Sequence, residues 1–441
     1  MTTPRDSKIP SDGTLEKSLQ DERNPVKRFF KLLGPGLTTG ASDDDPSGIG
    51  TYAMSGALLG YACLWTAWIT FPLMAAMQFI CAKVGMVTGR GLAGVLRRHY
   101  PRTMLYPAVA ALVIANTINA GADIQAIAAG VNLLIPIPIK ALIVPIGLLL
   151  LALQIWWPYR LIARTFKWLT LSLFAYIGAS FLAGPNWTEV LRGTVLPTLR
   201  FDGTFLAVLV AILGTTISPY LFFWQASQEV EEELAMGRKQ LWQRQGATDA
   251  EVRYAAWDVN IGMFFSNVVM YFIILATAAT LHQTGHTDIN TAADSAVALR
   301  PLAGDAAYIL MALALIGTGL LAVPILTTSG AYAVCEAFGW KWGLDRKLRG
   351  AKQFYFVIAA STIVGLFIDF LGINPMDALF WTAVINGFLA PPLLLIIMLV
   401  ANNRSVMGDR VNGTAMNVLG WTTTVVMFAA AAALVVTWGA S

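Results

Sequence analysis

The chain has 441 residues, of which 56% are hydrophobic and only 13% charged. Soluble domains carry about 25% charged residues, so this composition cannot cover a water-facing surface and excludes a string of soluble domains. The formal net charge of +4, from 30 Lys and Arg against 26 Asp and Glu, gives no case for nucleic-acid binding, and the scattered Cys63, Cys81 and Cys335 form neither a disulfide framework nor a metal clip.

In chain order, residues 1–31 are polar, with Pro4, Pro10 and Pro25, mixed charge and no apolar core. They read as a disordered cytoplasmic tail rather than a signal peptide. Eleven stretches then meet the length of about 20 largely apolar residues that a bilayer span needs. They lie near 32–58, 61–86, 105–135, 138–157, 165–184, 203–230, 255–281, 305–336, 353–372, 376–401 and 415–438. With the N-terminus cytoplasmic, 26 of the 30 Lys and Arg fall in segments on the inner side, and Lys140, Arg192, Arg200 and Arg300 on the outer side. That asymmetry supports eleven spans with the N-terminus inside and the C-terminus outside.

Span one contains Ser42-Asp43-Asp44-Asp45-Pro46-Ser47-Gly48. Pro46 lacks a backbone donor and disfavours helix at the residue before it, and Gly48 loosens the chain further. Three carboxylates inside a span cost about 2.5–3.5 kcal/mol each on the mildest scale, so they mark function rather than packing. Span six holds the counterpart, Gly214-Thr215-Thr216-Ile217-Ser218-Pro219-Tyr220, inside an apolar run from Phe205 to Trp224. Spans one and six hold corresponding places in two halves of five, and an odd number of spans per half inverts the second. Paired interrupted helices in inverted repeats point to a transport site at the midplane, where half-helix carbonyl ends suit a cation.

These residues resemble the NRAMP family of divalent-metal transporters. The resemblance rests on Gly34-Pro35-Gly36, Asp45-Pro46, Val84-Gly85-x-Val87-Thr88-Gly89 and Gly214-x-Thr216-x-x-Pro219, and it runs over spans one to ten. It implies an all-α membrane protein of LeuT-type fold: two inverted five-helix repeats, 32–184 and 203–401, and a peripheral eleventh helix, 415–438. The family's metal site uses Asp-Pro-Gly-Asn in span one and Ala-x-x-Met-Pro-His in span six. The Asp is kept as Asp45, whereas the Asn falls on Gly48, the Ala on Thr215, the Met on Ser218 and the His on Tyr220. Loss of the thioether removes the soft ligand, and carboxylate, hydroxyl and carbonyl oxygens suit Mg²⁺ or Mn²⁺. The pattern is similar to the NRAMP-related magnesium-transporter branch, which also lacks that Met.

In span three, Asn116, Asn119 and Asp123 share one helix face. The resemblance places Asp123 on the family's proton route, but the Glu one turn later falls on Ala126 and the His on Tyr220. Proton coupling is therefore expected to be weak or absent. Asn119, Asp123, Tyr220 and Asn386 are the candidates for gating or a residual proton route; Thr327, Thr328 and Ser329 read as packing. Of the three acids, Asp45 is the expected ligand, since successive helical positions point about 100° apart. Glu229 and Glu231–Glu233 read as a solvated helix end. His282 and His286 lack a third ligand and read as incidental.

The expected function is secondary transport of a divalent cation by alternating access, in a monomer of the bacterial inner membrane. No nucleotide loop or nucleophile elbow appears, so neither an enzyme nor a resident cofactor is expected. The alternatives are a proton-coupled Mn²⁺ or Fe²⁺ transporter and a cation-coupled carrier of an organic solute.

Overall fold

A computed structural model describes residues 34–157, 169–344, 346–370 and 372–438. The expected tail and the start of span five lie outside these residues. Every regular element among the described residues is helical. The helices that build the fold are α1 (Pro35–Asp43), α2 (Pro46–Leu59), α3 (Trp65–Thr88), α4 (Leu92–His99), α5 (Arg102–Leu134) and α6 (Ile139–Trp156). They continue as α7 (Ala175–Leu182), α8 (Trp187–Val195), α9 (Gly203–Thr216), α10 (Pro219–Ala235) and α11 (Asp249–Thr277). The last four are α12 (Ala307–Phe338), α13 (Lys352–Asp369), α14 (Pro375–Ala401) and α15 (Thr414–Trp438).

Eight helical runs among the described residues are long and apolar enough to cross a membrane: α3, α5, α6, α9 with α10, α11 continued to His282, Ala292–Phe338, α14 and Thr414–Thr437. The other three expected spans fall short for separate reasons. Span one is divided and carries its acids at the division. Span five is described only from residue 169. Lys352–Ile368 is apolar but shorter than the eight spanning runs. The long helices α5 and α12 lie against each other and form the frame on which the divided helices sit. α6 and α15 bury only a minor part of their surface and face outward, where lipid would meet them.

Two local features fix the entry to the fold. The carboxylate of Asp258, on α11, accepts from the backbone N–H groups of Gly34 (2.8 Å), Gly36 (2.6 Å) and Leu37 (3.2 Å), the orphan donors of the α1 N-terminus. Along the same contact, glycines let the two backbones touch. A Cβ on Gly40 would stand 2.3 Å from the Gly262 carbonyl, and one on Gly262 would stand 2.2 Å from that of Gly36. Small residues at such positions are how membrane helices approach closely without an apolar driving force between them.

The solvated end expected for α10 is not found. Glu229, Glu231 and Glu233 are buried. Gln225 donates to Glu229 at 2.9 Å, and the Tyr332 hydroxyl and the Leu344 N–H donate to Glu231 at 2.8 and 3.0 Å. Arg238 pairs with Glu233 at 3.5 Å. The connections after α10 and α12 fold back over this end, so each acid takes an internal donor in place of water. His282 donates to the carbonyl of Ala57 at 2.8 Å and so ties the loop after α11 to α2. No group of three or more His, Cys, Asp or Glu able to hold a metal occurs among the described residues.

Candidate cation site

The break between α1 and α2 follows from two adjacent residues. Asp45 is extended, with ψ 170°, and Pro46 opens α2 at the position where a missing N–H costs nothing. Asp45 caps α2: its Oδ1 accepts from the Gly48 N–H at 2.7 Å and from the Ser47 hydroxyl at 2.6 Å. Aspartate is among the preferred residues for this role because its short side chain reaches the first-turn donors. The second break repeats the plan. Ile217 leaves the α9 helix, Ser218 is extended, and Pro219 opens α10. Ser218 does not cap α10. Its hydroxyl donates back to the Gly214 carbonyl at 3.0 Å and also meets the carbonyl of Thr215.

The two breaks are joined. The Tyr220 hydroxyl donates to the Ser42 carbonyl at 2.8 Å, near the end of α1, and stands 3.4 Å from Asp45 Oδ2. The Ser47 and Thr215 hydroxyls are 3.4 Å apart, linking α2 to α9. Ser329 of α12 donates to the Tyr220 carbonyl at 2.7 Å, so this expected packing residue holds the second break in place. From α5, the amide of Asn119 donates to Asp45 Oδ2 at 3.1 Å. Asn116, one turn earlier, donates to the Leu326 carbonyl at 2.9 Å and fastens α5 to α12.

Asp45, Gly48, Asn119, Thr215, Ser218 and Tyr220 are thus brought together from four helices, and all are buried. Asp123 lies one turn beyond Asn119 on α5 and is fully buried. Asn386 comes from α14, whose backbone touches Gly214: a Cβ there would stand 2.1 Å from the Ala383 carbonyl. The Asn386 amide nitrogen is buried without a hydrogen-bond partner. The other two acids turn away from Asp45. Asp43 and Asp44 both meet the Ser266 hydroxyl of α11, at 2.6 and 3.2 Å.

Ser266 and Asp258 escape a reading of the sequence. Asp258 carries a signal, a carboxylate inside a long apolar helix, which is expensive unless a partner is waiting. Ser266 carries none, because serine is common between packed membrane helices.

A helical membrane protein with two divided helices meeting at a buried carboxylate has the architecture of a LeuT-type transporter. The structure resembles Mhp1 in its inward-facing conformation (15% identity, TM-score 0.51, covering 92% of this chain and 91% of that one). It also resembles MhsT in complex with L-phenylalanine (15%, 0.52, 91% and 97%). The similarity is higher to the manganese transporter of Eremococcus coleocola solved with an aromatic bis-isothiourea compound (19%, 0.72, 95% and 88%). The family model for natural resistance-associated macrophage protein-like sequences, Nramp, matches residues 36–437. The chain belongs to the Nramp family, whose members are transporters and not enzymes.

Proposed function

We propose that this protein is a secondary transporter that moves a divalent metal cation across the membrane by alternating access around Asp45. Mg²⁺ or Mn²⁺ is the favoured cargo, and coupling to protons is weak or absent. The observation that carries the reading is the state of Asp45 itself. Its Oδ1 is committed to two close donors, while Oδ2 has only contacts of 3.1 and 3.4 Å, at the meeting point of two helix breaks. One carboxylate oxygen, the hydroxyls of Thr215 and Ser218 and the carbonyls released at the breaks make a sparse oxygen site. Such a site suits a hard cation that keeps part of its water shell.

In this reading Asp45, Gly48, Thr215 and Ser218 hold the cation, and Asn119, Asp123, Tyr220 and Asn386 control access to it. Residues 32–184 and 203–401 act as inverted repeats, with 415–438 outside them. The chain works as a monomer in a bacterial inner membrane, N-terminus inside and C-terminus outside.

A carrier of organic acids is disfavoured by the charges. Lys83 is the one buried Lys or Arg among the described residues, and it donates to Asn412 at 2.6 Å, apart from the site. A substrate carboxylate would meet Asp43, Asp44 and Asp45 with no cation to receive it.

The test is uptake of Mg²⁺ and Mn²⁺ into proteoliposomes. Asp45→Ala should reduce flux at least about a hundredfold, since a desolvated cation loses the carboxylate it rests on. Undiminished uptake by a folded Asp45→Ala protein overturns the proposal.

A further inference from the structure

We infer that Asn119 is itself a ligand of the transported cation, supplying through its side-chain oxygen the amide that the span-one motif lacks at Gly48. This rests on the cation-transport reading above and deepens it.

The argument begins at the carboxylate. Asp45 Oδ1 takes the Ser47 hydroxyl at 2.6 Å and the Gly48 N–H at 2.7 Å, and is spent on capping α2. Oδ2 is the oxygen with lone pairs to spare. The hydroxyl nearest to it, Tyr220, directs its single hydrogen at the Ser42 carbonyl, 2.8 Å away. The remaining neighbour is Asn119 Nδ2, at 3.1 Å. Any cation that binds Oδ2 therefore arrives beside the Asn119 amide.

The orientation of that amide is fixed by its partner. Turned the other way, Asn119 would set its own oxygen 3.1 Å from a carboxylate oxygen, acceptor against acceptor. With the nitrogen toward Asp45, the amide oxygen is left fully buried and without any hydrogen-bond donor. Buried acceptors are nearly always satisfied, so one left open beside a charged site needs a reason. A cation is the natural occupant. When it settles on Oδ2 it repels the N–H pointing at it, and a half-turn of the terminal amide presents the oxygen instead. That torsion is broad and roughly two-fold, so the exchange meets little resistance. Asn119 would donate to Asp45 in the empty protein and coordinate the cation in the loaded one.

Position 48 offers an independent reason for the amide to come from α5. A Cβ on Gly48 would stand 3.3 Å from the Tyr52 ring, 3.3 Å from the Asp43 carbonyl and 3.4 Å from the Thr215 hydroxyl. An asparagine side chain could enter only if these neighbours gave way. Asn119 reaches the same carboxylate at its other oxygen, Oδ2, from a helix pinned to α12 by Asn116. An amide oxygen is a neutral, hard ligand of the kind that Mg²⁺, Mn²⁺ and Ca²⁺ accept.

The experiment uses the full-length protein with Mn²⁺ as the probe. Calorimetric titration measures affinity, and electron–nuclear double resonance on protein labelled with ¹³C-asparagine reports whether an amide carbon lies one bond from the metal's ligand oxygen. The wild type should bind Mn²⁺ and show a ¹³C coupling. Asn119→Leu should lose that coupling and bind about tenfold more weakly, a difference of about 1.4 kcal/mol. Asn119→Asp keeps a side-chain oxygen and replaces the NH₂ by a second one, and should retain binding; it also serves where the leucine variant does not fold. A wild type that binds Mn²⁺ without a ¹³C coupling overturns the inference and leaves the transport reading intact. So does a coupling that persists in Asn119→Leu, or an Asn119→Asp protein that loses binding, which would mean that only the N–H matters. A folded wild type that binds neither Mn²⁺ nor Mg²⁺ overturns both.

Discussion

Ser218 is the residue at which the proposed choice of cargo can be tested by a single side chain. The resemblance of the sequence motif places the family's methionine here, and the Ser218 hydroxyl points back at the Gly214 carbonyl, 3.0 Å away. A hydroxyl in that place offers a cation a hard oxygen, whereas a thioether offers a polarisable sulfur that favours soft ions. Ser218→Met should therefore raise the Cd²⁺ to Mg²⁺ flux ratio by at least about tenfold, measured by competitive uptake into proteoliposomes. Added volume in a site buried as deeply as this one costs about 1–3 kcal/mol, so some loss of stability should accompany the change. A wild type that already carries Cd²⁺ well, with no Mg²⁺ or Mn²⁺ uptake, would contradict the assignment. At this scale the sequence is informative where backbone and side chain carry the same message. Asp45 stands out because Pro46 follows it and both sit inside an apolar run. The partners of Asp45 are less visible. Asn119 can be placed on a helix face with Asn116 and Asp123, but which of the three meets Asp45 depends on how α5 is rotated against α2, and that is a property of the packing.

The divided helix is an element held at both ends by different means. The α1 end nearest the site is tied by the Tyr220 hydroxyl, and its far end by Asp258 and the glycine contact with α11. Three backbone N–H groups depend on the one carboxylate, and removing it leaves them without their partner. Hydrogen bonds to a charged group contribute about 1.5–3 kcal/mol each, and water recovers part of that at a helix end. Asp258→Ala is thus expected to lower the melting temperature and to loosen α1 from α11. A cysteine introduced at Ser42 should then react with a membrane-impermeant maleimide several-fold faster than in the parent, because Ser42 is fully buried while α1 stays packed against α11. Equal labelling rates would show that the glycine packing alone holds α1. A bulky residue at Gly262 should be worse than loss of Asp258, since its Cβ alone would meet the Gly36 carbonyl at 2.2 Å. The two breaks were legible because proline fixes where a helix begins, and both α2 and α10 start on one. The fate of the acidic end of α10 was not, since Glu231 is buried by Tyr332 and Leu344, more than 100 residues further along the chain.

For the molecule as a whole, the question is what drives the cation. A proton-coupled carrier needs a group near the site that changes protonation as the ion moves, and histidine is the side chain that does so most readily near neutral pH. The chain has three histidines, and none lies in the site: His99 ends α4, His282 is tied to Ala57, and His286 lies in the loop after α11. Tyr220, on which the motif resemblance places the family's histidine, uses its hydroxyl to join the two breaks. By the same resemblance, the acid expected one turn beyond Asp123 falls on Ala126. A divalent ion that crosses without a compensating proton carries two net charges through the membrane field. Each charge is worth about 2.3 kcal/mol per 100 mV, so an inside-negative potential of that size supplies about 4.6 kcal/mol to uptake. Uptake of Mg²⁺ or Mn²⁺ should accordingly rise steeply when a potassium diffusion potential is imposed on proteoliposomes, and respond little to an imposed pH gradient. An internal pH dye should report no acidification that tracks the metal gradient. The opposite pattern, robust acidification that disappears in Asp123→Asn, would make Asp123 the proton carrier. The driving force would then be a proton gradient, despite the missing histidine.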